Sequence, residues 1–270
     1  MRNDEVAVTR TVRKALDILD CLSKESTPLP TKEIARCCGI SRPTAYRLLS
    51  TLAAYGYVTR DHNQDERYRL GYKVLELSKS LLDGIELRQQ ALPFLTSLSQ
   101  VTNETVHLAV LDRDEVIYID KVESTQPVRM HSTIGSRNSV HCTSLGKAIL
   151  AYLSPEERKR ILASVTLERR TANTITDRAR LEEHLDAVRL QGFAMDDVEN
   201  EDGIRCVGAP IFGYSGKVVA AVSVSGPAYR LSAERAHELA APVQATAAGI
   251  SRELGYIAQT RTRSNTTKEA

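Results

Sequence analysis

The sequence predicts an α+β protein in two parts: a small N-terminal group of helices closed by a β-hairpin, then a larger antiparallel sheet with its helices set apart. Apolar residues recur at helical spacing, punctuated by Gly and Pro, as far as Gly56; from Val106 onward short alternating strands with polar turns take over. The length points the same way, since 270 residues exceed what one hydrophobic core usually organises.

Composition narrows the class further. With 42% apolar and 26% charged residues the chain reads as soluble and globular, which excludes collagen-like, low-complexity and wholly disordered proteins. No window approaches 18 uninterrupted apolar residues, and the start, Met1 to Glu5, is charged with no apolar stretch behind it. Neither a membrane span nor a signal peptide is expected, and the expected location is the cytoplasm. The five cysteines, Cys21, Cys37, Cys38, Cys142 and Cys206, form an odd set without C-x-x-C spacing. Reduced thiols are expected, with no disulfide framework, zinc knuckle, metal or cofactor. The net charge of +2 conceals an asymmetry: residues 1–72 carry 12 Lys+Arg against 9 Asp+Glu, and the remainder 24 against 25. Only the front is basic, a mild signal for an anionic partner there.

The elements follow in order. Val12, Ala15, Leu16, Ile18, Leu19 and Leu22 predict a first helix from about Thr11, its N-cap, to Lys24. Pro28 and Pro30 forbid its continuation, and Thr31 is read as the cap of a second helix, 32–38, stopped by Gly39. Ser41 is the N-cap of a third, 42–55, with Pro43 in its first turn and Ala45, Leu48, Leu49 and Leu52 as its buried stripe. Tyr57–Thr59 and Arg67–Leu70 read as a hairpin around the polar tip 61–66. Three short helices, a glycine turn between the second and third, and a hairpin make a winged helix-turn-helix. The third helix turns Ser41, Arg42, Thr44, Tyr46, Arg47 and Ser50 away from its leucines, residue types that contact phosphates and base edges. Arg60, Arg67 and Arg69 flank the hairpin, where a wing passes along the DNA backbone. The bland alternative is a solvated polar face on an ordinary three-helix domain.

Residues 71–82 and 85–101 predict connecting helices, the second interrupted by Pro93, with an apolar face suited to dimerisation. Strands follow at 106–111, 116–119 and 128–132, helices at 143–152, 155–163 and 177–191, strands at 194–198, 205–212 and 218–225, and a last helix at 233–254. The domains are therefore expected at 8–70, 102–256 and, between them, a linker at 71–101; the tail 257–270 is polar and expected to be disordered.

Three segments of the second part carry chemistry. The run His141 to Lys147 precedes an apolar helix, so its amides lie at a helix N-terminus suited to a carboxylate, with Thr143 or Ser144 as a plain N-cap the alternative. Gly203–Pro210 and Val222–Gly226 are strands with small polar side chains at alternate positions, where a thiol and two hydroxyls face one side. Asp196 is a further candidate.

These residues, taken with Arg13–Leu19, Ser41–Leu52, Tyr55–Val58, Tyr68–Gly71, Thr143–Ala148, Gly192–Asp197 and Gly203–Ile211, resemble the IclR family of bacterial transcriptional regulators over about residues 8–256. The resemblance implies an N-terminal winged helix and a C-terminal GAF-like effector domain, in dimers that often pair into tetramers. It implies a regulator, here a repressor of a catabolic operon, that binds a palindromic double-stranded operator and senses a small organic acid. The positions matching the family's effector site are Met130, Asn138, Ser144, Leu145, Asp196, Ile204, Cys206, Ser223 and Ser225. The amides of Ser144 and Leu145 would hold a carboxylate, and Asp196, Ser223 and Ser225 would take hydroxyl or keto groups. Leu145 stands where many members carry a smaller residue. Asn103–Leu108, Arg129–Ser132 and Gly135–Asn138 look most like the repressors of 2-keto-3-deoxygluconate and related sugar-acid catabolism.

Three rival readings compete with the regulator. A thiol-dependent GAF-domain enzyme would use Cys142 beside His141, with Cys206 and Asp196 elsewhere, as a nucleophile with partners, but adjacent strand residues point to opposite faces. A metal site from His141, Cys142 and Cys206 lacks ligand spacing. A DNA-packaging module leaves the second domain without a purpose. Within the regulator reading, an activator responding to an aromatic acid is the alternative.

Overall fold

The computed structural model describes residues 9–61, 67–77, 86–128 and 132–257. The chain divides into two compact units, Met1–Gly84 and Ile85–Ala270, each described here by itself.

In the first unit, α1 (Arg10–Ser23), α2 (Thr31–Cys37) and α3 (Arg42–Ala54) close around Ile18, Leu22, Ile34 and Leu49. The hydroxyl of Ser41 accepts the Thr44 amide at 3.4 Å, and Pro43 sits in the first turn where its missing N–H costs nothing. Gly39 makes the turn from α2 toward α3 at φ +62°, a conformation that a Cβ disfavours. The hairpin is β2 (Val58–Asp61) and β3 (Arg67–Leu70); residues 62–66 of its expected tip lie outside the described residues.

Three local expectations are corrected. The cap of α1 is Thr9, not Thr11, and Thr31 is the first residue of α2, whose cap is Pro30 in extended conformation. Leu29–Pro30 forms a strand, β1, that pairs with β3 through Leu29↔Tyr68 and Pro30↔Arg67, giving the sheet order β1-β3-β2. A proline is tolerated there because the strand lies at the sheet edge. Of the first connecting helix, residues 73–77 are helical and 78–85 lie outside the described residues, as does the tail from 258 onward.

The second unit begins with α4 (Glu86–Thr102). This helix was expected in the linker; it belongs instead to the second unit's core. Ala91, Leu95 and Leu98 are buried with Leu239, Val243, Ala247 and Ile250 of α8 (Ala233–Glu253). The 91/95/98 spacing supplies an apolar stripe that matches that of α8. The sheet runs β6 (Arg137–Ser139), β5 (Glu115–Val122), β4 (Thr105–Asp112), β9 (Val218–Pro227), β8 (Ile204–Phe212), β7 (Ala194–Asp197), antiparallel throughout. β6 was not anticipated; the strand expected at 128–132 falls mostly on 129–131, outside the described residues, and Ser132 is not in a strand.

Strand alternation divides the sheet's duties. Val106, Leu108, Val207, Val222 and Val224 bury one face against α4 and α8. On the other face Ala109, Val116 and Ala221 pack with α5 (Ser144–Leu150), α6 (Pro155–Ser164) and α7 (Arg178–Gln191). The rest of that second face is polar. Its register sets Asp196 opposite Cys206, Cys206 opposite Ser225 and Ser225 opposite Thr105, with Gly208, Ser223 and His107 in the next row. No helix among the described residues is long and apolar enough to cross a membrane.

Candidate functional site

The polar rows form the floor of a cavity of about 100 Å³ roofed by the start of α5. Eight of the nine expected effector residues line it: Asn138, Ser144, Leu145, Asp196, Ile204, Cys206, Ser223 and Ser225. The ninth, Met130, lies outside the described residues. Thr143 is the N-cap of α5: its hydroxyl accepts the Gly146 amide at 3.1 Å, and its carbonyl accepts that of Lys147 at 3.0 Å. The amides of Ser144 and Leu145, both at the cavity wall, are the first-turn donors left over.

Sequence reasoning missed several wall residues. The Nε2 atom of His107 lies 2.7 Å from the Ser132 hydroxyl and Nδ1 3.3 Å from that of Ser225, and its ring packs on Tyr118 with centroids 5.0 Å apart. Burial, with Lys121 nearby, lowers the imidazole to about 3, so it stays neutral. Asn138 and Asn200 both accept from Arg170, at 3.0 and 2.9 Å. Asn138 was already an expected position; for His107, Tyr118 and Asn200 the only sequence signal is pairing across strands and loops far apart in the chain.

Ser223 differs from its neighbours. It is 1% exposed, and its Oγ has no hydrogen-bond partner among the described residues. A buried hydroxyl left so costs about 1–3 kcal/mol, which a hydrogen-bonding group placed in the cavity would recover.

Asp196 is 2% exposed, and burial raises its carboxyl to about 7 although its Oδ1 accepts the Glu199 amide at 2.8 Å. The sign follows. Between its ordinary 3.8 and about 7 the unfolded chain is ionised there and the folded one is not, so raising pH through that window removes stability, by at most about 1.4 kcal/mol per pH unit. Asp196→Asn cannot ionise and should gain stability relative to wild type from pH ~4 to ~7, then level off. Urea unfolding of both proteins across that range checks it; histidine titrations cancel in the difference, and a flat difference refutes the raised carboxyl.

The thiols are poor nucleophiles. Burial raises Cys142, which donates to Asn200 Oδ1 at 3.4 Å, to about 12, and burial likewise raises Cys206 well above its ordinary value. His141 is turned to the Glu168 carbonyl at 3.1 Å.

In the first unit, Ser41, Arg42, Tyr46, Arg47 and Ser50 are exposed and Thr44 half-buried on α3. Thr44, Tyr46, Arg47 and Ser50 line a concavity of about 530 Å³ with Thr11 and Lys14 of α1. Arg60 and Arg69 are exposed on the hairpin. Arg67 is half-buried and donates to the Pro28 carbonyl at 3.0 Å, so it also holds β1 to the hairpin.

Comparison with known proteins matches both units. A model described as the IclR helix-turn-helix domain covers residues 11–62, and one for the C-terminal part of bacterial IclR transcriptional regulators covers 79–252. The regulator KdgR of Dickeya chrysanthemi is 38% identical over 245 residues, 91% of this chain and 80% of that protein. The crystal structure of the Thermotoga maritima IclR superposes with a TM-score of 0.78 at 39% identity, over 91% of this chain and 99% of that one. An IclR homologue from Microbacterium hydrocarbonoxydans, crystallised with 4-hydroxybenzoate, superposes with a TM-score of 0.78 at 26% identity, over 90% and 98%.

Proposed function

The chain belongs to the IclR family of bacterial transcriptional regulators, which are not enzymes, and from that premise we propose that it is a cytoplasmic repressor of a catabolic operon, released or reset by a small sugar acid bound in the second unit. The observation that carries the effector reading is the orphaned Ser223 hydroxyl inside a cavity lined mostly by polar groups, the Arg137 guanidinium and His107 imidazole among them, with Leu145 and Ile204 as apolar members. Such a lining suits a polyhydroxylated or keto acid. The carboxylate would sit on the Ser144 and Leu145 amides, and Asp196, Ser223 and Ser225 would take the oxygens of its chain. Similarity to KdgR at 38% identity supports the sugar-acid subgroup. The 4-hydroxybenzoate complex of the 26% identical homologue favours an aromatic acid as the second reading.

Ser223→Ala should weaken effector binding by ~1–3 kcal/mol while leaving the ligand-free protein as stable as wild type or more so, because the change removes an unsatisfied hydroxyl. Isothermal titration with sugar acids and aromatic acids, beside urea unfolding, separates the two effects. Equal affinity in both proteins would place the ligand elsewhere, and heat with aromatic acids alone would select the second reading.

On the DNA side, α3 would enter the major groove of a palindromic operator, with Arg42, Thr44, Tyr46, Arg47 and Ser50 at base edges and phosphates, Ser41 at its cap, and Arg60, Arg67 and Arg69 on the wing side. Two half-sites call for a dimer, and the family's habit adds a tetramer. Arg47→Ala should lower operator affinity by ~1–3 kcal/mol if the guanidinium reads a guanine, with the salt dependence preserved. An unchanged operator affinity in gel-shift titration of the folded variant would remove α3 as the reading helix.

A further inference from the structure

We propose that Cys21, Cys37 and Cys38 form a binding site for a soft metal ion, held by three thiolates inside the helix-turn-helix unit. Cys21 comes from α1 and the other two from the end of α2, and their sulfur atoms all lie within 4.8 Å of one another. They are the one such cluster of metal-ligating side chains among the described residues. A tetrahedral ion with Zn–S bonds of 2.3 Å spaces its sulfurs by about 3.8 Å, so the thiols need close by no more than about 1 Å. Side-chain rotation supplies that.

Three sulfurs without a carboxylate or imidazole select Zn(II) or Cu(I) over Mg(II) or Ca(II). Cys21 is buried and Cys37 exposed, which gives the ion a closed inner side and an entry path from solvent with one coordination position open to water. Cys38 is already oriented, its Sγ donating to the Asp17 carbonyl at 3.4 Å. Binding one Zn(II) forms three Zn–S bonds, releases up to three protons to solvent and leaves a site of net charge −1. The ion would tie α1 to the turn at Gly39 that leads into α3, so that its binding energy adds to the stability of the unit.

The test uses reduced full-length protein, titrated with Zn(II) against a chromogenic chelator and with Co(II) as a spectroscopic stand-in. One ion per chain is expected, with a thiolate-to-Co(II) charge-transfer band and a raised melting midpoint. Cys37→Ser, at an exposed position, should lose at least about tenfold in affinity, the loss seen when even an outer partner of a ligand is disturbed. Alkylation with and without Zn(II), read by mass spectrometry, should show protection at 21, 37 and 38 together in wild type. Absence of stoichiometric uptake, equal affinity in Cys37→Ser, or protection spread over Cys142 and Cys206 would overturn the assignment. So would a chain that forms a disulfide within the trio and retains no ion.

Discussion

Lys147→Ala is expected to destabilise the second unit by about 3–5 kcal/mol, the cost of leaving one member of a buried ion pair alone. Lys147 is wholly buried in α5, and its Nζ meets Glu199 Oε1. Glu199 is itself buried and its other oxygen has no partner among the described residues, so removal of the ammonium leaves a buried carboxylate held only by the Asp197 amide at 3.3 Å. The double change Lys147→Met with Glu199→Gln should recover much of the loss, because neutralising both partners removes the desolvation penalty together with the attraction. Urea unfolding of the single and double variants measures this. A single-variant loss under ~1 kcal/mol would show that water reaches the pair. Effector binding should weaken as well, since the Glu199 amide anchors the carboxyl of Asp196 at the cavity wall.

Gly146→Ala is expected to cost about 3 kcal/mol or more, at the upper end for a single substitution. A Cβ at Gly146 would lie 2.4 Å from both the Cα and the carbonyl oxygen of Val140, and backbone cannot rotate aside. The turn at Val140 or the start of α5 must then shift, taking the Ser144 and Leu145 amides with it. Loss of thermal stability together with loss of ligand response is the expected pair of results. A variant that melts with wild type would mean the helix shifts freely.

What could be read from the sequence was what is encoded locally. The cap and stripe of α3 stand within a dozen residues of one another, and the strands of the sheet announce themselves by alternation. Eight of the expected positions line the cavity; the family resemblance marked all eight, while strand alternation marked only Cys206, Ser223 and Ser225 among them. His107 was missed because its relevance arises from standing opposite Ser223 in the sheet, a pairing that no local pattern carries. The helix α4 was placed in a linker because an amphipathic stripe does not say which stripe it meets, and only α8 supplies the answer. The Pro28 carbonyl that engages Arg67 lies in a proline-rich stretch that reads as a mere connection, and β1 went unseen for the same reason. The cysteine trio failed every spacing rule because two helices, not one motif, assemble it.

The central pairing of β4 with β9 has a consequence for biosynthesis. His107 and Ser223 face each other across the middle of the sheet, so the halves β4–β5 and β8–β9 can each close as a local hairpin, but the floor of the cavity waits for the later one. At ribosomal rates of about 5–20 residues per second, that delay is about 6–23 s after His107 is made. During it, the valines of β4 lack their neighbouring strand, while the helix-turn-helix, encoded entirely upstream, is already complete. A chain stopped before β9 would therefore carry the helix-turn-helix unit without the floor of the cavity, and under the proposed function it would lack the effector response of the full-length protein.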